Sequence, residues 1–267
     1  MPVRETHVTE EPVAAVRDGA ILTLTLNRPD NTNAINGVMR KTLLGHLREA
    51  KADARVRTVV LTGAGEEAFS TGLDIAELST LTAAEAEPLA FELRAIHEAL
   101  LALDVPVIAA IKGSCVGSGL ELALHCDLRF ARGDARFAFP GINIGLVPGG
   151  GSIERLTQLT GSGAATALLM TGSVINAERA FLVGLASNVI APNSFDGAIT
   201  EFSHYLAGLS PVAMRELKAL LRLSAGAGTQ AMVARGAQAL RACVEEGDLT
   251  QRLQGLYEGP GPDTTVH

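Results

Sequence analysis

The stretch IKGSCVGSGLELALHCDLRFA, Ile111 to Ala131, decides how the rest of the sequence is interpreted. An apolar run, Val105 to Ile111, leads into small residues, and an apolar segment with helical spacing begins at Leu120. This order predicts a strand, a tight turn and a helix. Since such turns admit ligands and helix N-termini favour negative charge, Gly117 to Gly119 is a candidate oxyanion or phosphate site. Glu121, about one helical turn away, is a candidate proton carrier or simply a solvated glutamate.

The composition is that of an ordinary globular protein, since 19% of the 267 residues are charged and 47% are hydrophobic. This length can bury a sizeable core, and we expect one domain plus an appendage. The net charge of -7, without a long run of Lys or Arg, argues against nucleic acid and against a membrane surface as partners. An anionic ligand would therefore be held by local groups.

Cysteine usage and the N-terminal pattern predict a cytoplasmic protein. Cys115, Cys126 and Cys243 lack metal-ligand spacing and are too few for a disulfide framework, so we expect reduced thiols and no metal site. The N-terminal residues MPVRETHVTEEP contain no apolar signal core. No uncharged apolar run approaches the roughly 18 residues that would suggest a membrane span.

Turn residues and apolar periodicity predict alternating strands and helices up to about residue 192. The expected strands are 13–16 and 21–26, joined as a hairpin, then 58–62, 107–111, 128–131, 136–139 and 188–190. The expected helices are 37–52, 83–103, 152–159, 164–170 and about 176–184. Residues 195–256 show helical spacing without a convincing strand, so we expect a core over 1–200 and a C-terminal helical region over 201–267.

Four blocks agree in order and spacing with a known family, and over residues 12–255 the chain resembles the crotonase superfamily (enoyl-CoA hydratase/isomerase). The blocks are LNRPDNTNAI at 26–35, VVLTGAGEEAFSTGLDIAEL at 59–78, PVIAAIKGSCVGSGLELALHCDLRFA at 106–131 and FAFPGINIGLVPGGGSIERL at 137–156. The resemblance implies an α/β fold in which ββα units form a spiral. It also implies a C-terminal helical trimerisation region and therefore a homotrimer or homohexamer.

The resemblance further implies an acyl-CoA thioester substrate, with coenzyme A as part of the substrate and no separate cofactor. In this family two backbone N–H groups hold the enolate-like oxygen, and the matching positions here are Leu73 and Ser118. The first catalytic glutamate matches Glu121, and Gly149 matches a backbone group that helps to position water. The implied substrate-binding positions are Asp30, Asn31, Thr32, Ala34, Thr71, Asp74, Ile75, Gly117 and Gly141.

One position departs from the hydratase pattern. Hydratases of the family have a second glutamate after the proline of the FAFP block, where this sequence has Gly141, and isomerases commonly depend on the same position. The aspartate that dienoyl isomerases add would fall near Gly149. The leading hypothesis is an enoyl-CoA hydratase of fatty acid or related acyl metabolism. The alternatives are isomerisation, hydrolysis or decarboxylation on the same enolate, and a non-catalytic acyl-CoA binder.

Three other polar residues are expected to have structural roles. His125, four residues after Glu121, can share its helix face, and we expect it to pack or to make a local hydrogen bond. Asp74 and Asp127 are expected to cap and brace neighbouring backbone.

Two further motifs are rejected, and one family feature is not found. Gly149 to Gly151 lacks the Lys-Ser/Thr of a P-loop. Ser118 lacks the glycines two residues before and after the serine in the G-x-S-x-G nucleophile elbow, which argues against a serine hydrolase. The basic residue that reaches the CoA phosphates in this family is not recognisable near the C-terminus, where Arg252 is the nearest basic group.

Overall fold

The computed structural model describes residues 11–224, 226–246, 249–250 and 252–253. The chain divides into two compact units, residues 1–207 and residues 208–267. Most of the N-terminal stretch used to argue against a signal peptide, and residues 254–256 of the expected helical region, lie outside the described residues.

The first unit alternates strands and helices. Its strands are β1 (Val13–Asp18), β2 (Ile21–Leu26), β3 (Thr58–Gly63), β4 (Ala68–Ser70), β5 (Val107–Ile111), β6 (Ser114–Val116), β7 (Leu128–Arg132), β8 (Arg136–Ala138), β9 (Ile175–Asn176) and β10 (Asn188–Ile190). Its helices are α1 (Gly37–Ala52), α2 (Ile75–Ser79), α3 (Ala83–Leu101), α4 (Ser118–Leu124), α5 (Ser152–Thr171, kinked at Gly161), α6 (Ala177–Leu182) and α7 (Phe195–Gly208).

These strands form two sheets. The large sheet has the order β1-β2-β3-β5-β7-β10, antiparallel only in the β1–β2 hairpin. The small sheet has the order β4-β6-β8-β9, in which β9 alone runs antiparallel to its neighbour. Along the chain, a strand of the large sheet is followed by one of the small sheet and then by a helix, as in β3-β4-α2, β5-β6-α4 and β7-β8-α5. The expected ββα units are confirmed.

Apolar periodicity explains the long helices and the central strands. Every residue of β5 is buried, which suits a parallel strand covered on both faces. Helix α1 buries Met39, Leu43 and Leu47, spaced one turn apart, in the hydrophobic core. The side chain of Asn36, just before the helix, accepts a hydrogen bond from the N–H of Met39 and so fixes where the helix begins. The expected hairpin, the helix over 37–52 and the strand over 107–111 are confirmed.

The small sheet corrects the sequence interpretation. The tight turn expected after Ile111 contains β6, which pairs in parallel with β4, a strand that is absent from the expected ones. Helix α4 begins at Ser118, two residues before the expected start. Strands of three residues are too short to show a period of two, and their hydrogen bonds go to partners far along the chain, so local sequence does not reveal them.

The loop after β2 is fixed by a buried asparagine. Asn33 has a φ of +55° and is fully buried. Its Nδ2 donates to the carbonyl oxygens of Ala64 (2.9 Å) and Ala68 (2.8 Å), while its Oδ1 accepts from the N–H of Arg28 (3.0 Å). One side chain therefore joins this loop to both ends of the β3–β4 connection.

Replacing this side chain should destabilise the fold. We expect Asn33→Ala to lower the free energy of unfolding by roughly 3 kcal/mol, because buried backbone groups lose their partners and alanine is strained at positive φ. Urea denaturation measures the change. The neighbouring exposed variant Asn31→Ala should stay within about 0.5 kcal/mol of wild type. Equal losses in both variants would contradict the anchoring role of Asn33.

The second unit contains α8 (Pro211–Ser224) and α9 (Thr229–Glu245). The two helices pack on each other and are bridged by an ion pair between Arg235 and Glu216. Several large apolar side chains of these helices are exposed in the single chain, among them Leu217, Leu221, Val233 and Leu240.

Candidate active site

The candidate site begins where β4 and β6 end side by side in the small sheet. Each strand is followed by a glycine with positive φ, Gly72 at +95° and Gly117 at +53°. A Cβ atom at Gly72 would lie 3.0 Å from the carbonyl oxygen of Val116 and 3.1 Å from the nitrogen of Ser118. Only glycine therefore fits at position 72, and the two turns are in direct contact.

These two turns carry the N–H groups of Leu73 and Ser118, which the family resemblance assigns to an oxyanion. Around Leu73, the N–H of Ile35 donates to the carbonyl of Gly72 (2.7 Å), and the N–H of Asp74 donates to the carbonyl of Ile35 (3.1 Å). Ser118 is the first residue of α4, so its N–H has no acceptor within the helix. Within the described residues, neither Leu73 nor Ser118 donates a backbone hydrogen bond. Two such adjacent donors can hold one developing oxyanion.

Glu121 lies one turn into α4 and is only 3% exposed. The hydroxyl of Ser152, at the start of α5, donates to its Oε2 at 3.1 Å. The hydroxyl of Ser118 and the N–H of Gly149 also lie near the carboxylate and favour its charged form. Burial raises the pKa of Glu121 to about 7, and these three polar groups oppose the rise. The interpretation of Glu121 as a solvated glutamate is therefore wrong.

A carboxyl with a pKa near 7 exists in both protonation states at neutral pH. It can accept a proton and return it without a large free-energy difference between the two forms. Perturbed acids of this kind cluster at functional sites, where burial sets the pKa that the chemistry needs.

Gly141 leaves the position of the second family glutamate without a proton carrier. It lies in a short 3-10 helix, Pro140–Ile144, and its carbonyl accepts from the N–H of Leu146 at 2.8 Å. A Cβ atom at Gly141 would lie 3.1 Å from the carbonyl oxygen of Leu146, closer than side chains usually approach. Any larger residue would require residues 141–146 to shift.

The structure brings together the two segments expected to contact coenzyme A. The hydroxyls of Thr32 and Thr71 lie 2.9 Å apart, and the N–H of Thr71 donates to the carbonyl of Thr32 at 3.2 Å. The Arg28 guanidinium donates to Asp74 at 2.7 Å and lowers the pKa of that carboxyl. Asp74 also caps α2 by accepting from the N–H of Ala76, so its expected capping role is confirmed.

The remaining expected positions fall around this pair of segments. Asp30 and Asn31 are exposed in a 3-10 turn, and Ala34 is partly buried beside them. Ile75 begins α2 and is 78% exposed. Gly117 lies at the N-terminus of α4.

Two residues outside the site, His125 and Asp127, have the roles expected from the sequence, and the contact of a third, Arg252, is described with them. His125 donates from Nδ1 to the carbonyl oxygen of Glu121 at 2.8 Å, so the expected local bond is confirmed. Asp127 accepts from the N–H of Val107 at 2.8 Å, so its bracing role is confirmed. Arg252, in the second unit, donates to the carbonyl oxygen of Gly208 at 3.1 Å.

Sequence reasoning missed Ser152 and His97. Ser152 follows the three glycines 149–151 at the start of a helix, and that position could have indicated a polar contact rather than only a failed phosphate cradle. His97 gives no comparable signal, because a single histidine on an apolar helix face usually packs in the core.

Two kinds of site were searched for in the described part of the chain. Histidine, cysteine, aspartate and glutamate side chains form no group there that could bind a metal ion. None of the described helices has the length and apolar character needed to cross a bilayer.

The geometry agrees with the comparison to known families. A family model described as "Enoyl-CoA hydratase/isomerase" matches residues 17–258. The chain belongs to this family.

Related proteins and structures support the assignment to the enoyl-CoA hydratase/isomerase family, within the crotonase superfamily. The chain is 31% identical to the short-chain-enoyl-CoA hydratase of Clostridium acetobutylicum, over 91% of this chain and 93% of that protein. It is also 31% identical to the 2,3-dehydroadipyl-CoA hydratase of Escherichia coli, over 92% and 96%. The crystal structure of an enoyl-CoA hydratase from Bacillus anthracis matches with a TM-score of 0.90 at 28% identity, covering 94% of this chain and 97% of that one.

The raised pKa of Glu121 predicts a pH-dependent cost to stability. The carboxyl titrates near 4.5 in the unfolded chain and near 7 in the folded one, so the folded state binds the extra proton between these values. The stability that the protonated Glu121 carboxyl gives the folded state is complete below pH 4.5 and is lost as the pH rises through 7. Glu121→Gln should therefore gain stability relative to wild type between pH 4 and pH 8, by roughly 3 kcal/mol at 1.36 kcal/mol per pKa unit.

Urea denaturation of both proteins at several pH values measures this gain. Glu154→Gln is the matched control, because Glu154 is exposed in the first turn of α5. Its stability difference from wild type should change little over the same range. A pH-independent difference for Glu121→Gln would show that the carboxyl is not desolvated.

Proposed function

We propose that the protein is an enoyl-CoA hydratase that adds water to 2-trans-enoyl-CoA thioesters and forms 3-hydroxyacyl-CoA. The observation that carries this proposal is the buried carboxyl of Glu121, with a pKa of about 7, next to two N–H groups that donate no hydrogen bond within the described residues. An oxyanion site and a proton carrier with a matched pKa are the two elements that hydration of a conjugated thioester requires.

The backbone N–H groups of Leu73 and Ser118 would bind the thioester oxygen. Hydroxide addition at C3 moves the electrons of the double bond onto this oxygen as an enolate. Each donor of this kind supplies about 2.7–4 kcal/mol of transition-state stabilisation by mutagenesis. Because the backbone supplies both donors, the oxyanion site itself does not depend on the side chains of Leu73 and Ser118.

Glu121 alone would handle the proton in both halves of the reaction. As a carboxylate it accepts a proton from water, and the resulting hydroxide bonds to C3. As a carboxylic acid it then donates that proton to C2 of the enolate, which restores the double bond of the thioester carbonyl and regenerates the carboxylate. One water is added and no second carboxyl is needed, which accommodates Gly141. The chemistry requires no metal or redox cofactor, since coenzyme A belongs to the substrate.

This mechanism predicts a single ionisation in the pH profile. Glu121 must be ionised in the free enzyme to accept a proton, so kcat/KM should rise with pH through about 7 and then level off. Glu121→Gln should lower kcat by roughly 10²- to 10⁴-fold, the usual contribution of a positioned acid or base. The loss of enoyl-thioester absorbance with crotonyl-CoA and with a longer enoyl-CoA measures both effects.

Glu154→Gln again serves as the control and should keep wild-type kcat. Activity that survives Glu121→Gln would contradict the assigned proton carrier. Binding of acyl-CoA by wild type without turnover of either substrate would contradict hydratase activity and favour a binding protein.

Ser152 provides a finer test of the carboxyl. Removing its hydrogen bond leaves burial less opposed, so Ser152→Ala should move the rise in kcat/KM to higher pH. We expect a shift of about one pH unit, because a hydrogen bond to a charged group contributes about 1.5 kcal/mol. Thr157→Ala removes a hydroxyl of the same helix that donates to the carbonyl of Ile153 and not to Glu121, so it should leave the profile unchanged. An unshifted profile in Ser152→Ala would show that this hydroxyl does not set the pKa.

Gly141 supports one alternative, a different reaction of the same enolate. Isomerisation also needs only one carboxyl, which can take a proton from C2 and deliver it to C4, and hydrolysis or decarboxylation would use the same oxyanion site. Product analysis separates these reactions from hydration. A non-catalytic binder is less well supported, because binding alone gives no reason to bury a carboxyl at a cost in stability.

We further infer a cytoplasmic homotrimer or homohexamer. The large apolar side chains that α8 and α9 expose support self-association, since burial of apolar surface drives association. Cys115, Cys126 and Cys243 form no disulfide, which suits a reducing compartment.

A further inference from the structure

Two buried histidines stack on each other, and one of them is hydrogen-bonded to the backbone of Glu121. The rings of His97, on α3, and His125, at the end of α4, have centroids 4.1 Å apart and planes within 6° of each other. His97 is completely buried and His125 is 3% exposed. The proposed reaction uses neither ring, so the pair needs another explanation.

Hydrogen bonds define the tautomer of each ring. His97 Nδ1 lies 3.2 Å from the carbonyl oxygen of Gly150, and His125 Nδ1 lies 2.8 Å from the carbonyl oxygen of Glu121. Because a carbonyl only accepts, each Nδ1 carries the hydrogen. Nε2 of His97 has no partner among the described residues and is then a bare lone pair, which is less costly to bury than an unpaired N–H.

Burial keeps both rings neutral, and nearby charges add to its effect. Burial lowers the pKa of His97 to about 3 and that of His125 to about 4. Arg94 opposes protonation of both rings, and Arg155 on α5 opposes it at His125. Glu98, the residue after His97 on α3, is paired with Arg94 at 2.7 Å. The Nδ1–H donors are therefore constant across the working pH range.

The glycine turn before α5 rests on the His97 ring. Gly150 has a φ of +61°, and a Cβ atom there would lie 2.6 Å from His97 Nδ1. The carbonyl of Gly150 also accepts from Arg94 Nη1 at 3.3 Å. The N–H of Ser152 donates to the carbonyl of Gly149 at 3.0 Å and closes the turn. Helix α3 thus determines where this turn lies.

We propose that the His97–His125 stack is a positioning element that holds the Gly149–Ser152 turn in register with Glu121. The turn supplies the Ser152 hydroxyl, which donates to Oε2 of Glu121 at 3.1 Å, and it brings the N–H of Gly149 near the same carboxylate. His125 holds the backbone of Glu121 itself, so the stack joins both sides of these hydrogen bonds. His97 touches no reacting atom and is a positioning residue for the site. This inference rests on the proposed function only in taking Glu121 as the reacting group.

The test compares two substitutions of His97. Phenylalanine keeps a flat ring but removes the donor, whereas the amide of asparagine can replace Nδ1–H. We expect His97→Phe to lower kcat roughly 10- to 100-fold with KM within about twofold, because small misplacements of catalytic groups have effects of this size. Its kcat/KM profile should move to higher pH, since the turn's donors no longer stabilise the carboxylate. His97→Asn should retain most of kcat and the wild-type profile.

His204→Phe on α7 is the matched control, since this histidine is exposed, and it should keep wild-type kinetics. Wild-type kcat and pH profile in folded His97→Phe would overturn the proposal, because the pair would then be ordinary core packing. Equal losses in His97→Asn and His97→Phe would also overturn it. So would a shift of the profile towards the ordinary carboxyl range, which would mean that water has entered the site.

A second measurement separates this proposal from the proposed function. The ¹³C shift of the Glu121 carboxyl, assigned by comparison with Glu121→Gln, reports its pKa without turnover. If wild type fails to hydrate enoyl-CoA, the proposed function fails, but a higher pKa in His97→Phe still supports the positioning role and an unchanged pKa still contradicts it. If His97→Phe does not fold, Gly150→Ala displaces the same turn, because the added Cβ atom would collide with the His97 ring. This variant should raise the pKa of Glu121 as well.

Discussion

The contact between the glycine turns after β4 and β6 is the constraint on which the candidate site depends. Gly72 packs so closely against Ser118 that a side chain would collide with the backbone. This contact places the N–H groups of Leu73 and Ser118 next to each other and starts α4 at the position that puts Glu121 one turn further on. The parallel pairing of two three-residue strands produces the contact, so the small sheet positions the candidate site despite its size.

Burial of Glu121 links stability to reactivity. The same desolvation that raises its pKa to about 7 destabilises the folded chain once the carboxyl ionises. Three donors reduce this cost without removing it, and the carboxyl consequently stays close to the pH at which it can both take and return a proton. A more solvated glutamate would make the fold more stable and the proton carrier weaker, a trade-off common in enzyme sites.

Sequence patterns predicted the features that depend on neighbouring residues. Helix 37–52 and strand 107–111 are long, periodic and bounded by clear turn or capping residues, and both were found where expected. The small sheet was missed because its pairing is non-local. Glu121 and the oxyanion turn could be named from the resemblance, but not the burial that sets the pKa. That burial, with the roles of Ser152 and His97, depends on α3 and α5 packing around α4, which no local pattern encodes.

Gly141 changes what determines the chemistry of Glu121. In a site with two carboxyl groups, repulsion between the charges would contribute to raising one pKa. Here position 141 carries no charge, and desolvation is the largest cause of the raised pKa. The pKa of Glu121 therefore depends on the exclusion of water and on the orientation of the hydrogen-bond donors. Both depend on how closely the Gly149–Ser152 turn lies over the carboxyl. A neutral histidine stack suits this task, because it holds the turn with hydrogen bonds and adds no charge of its own to the site.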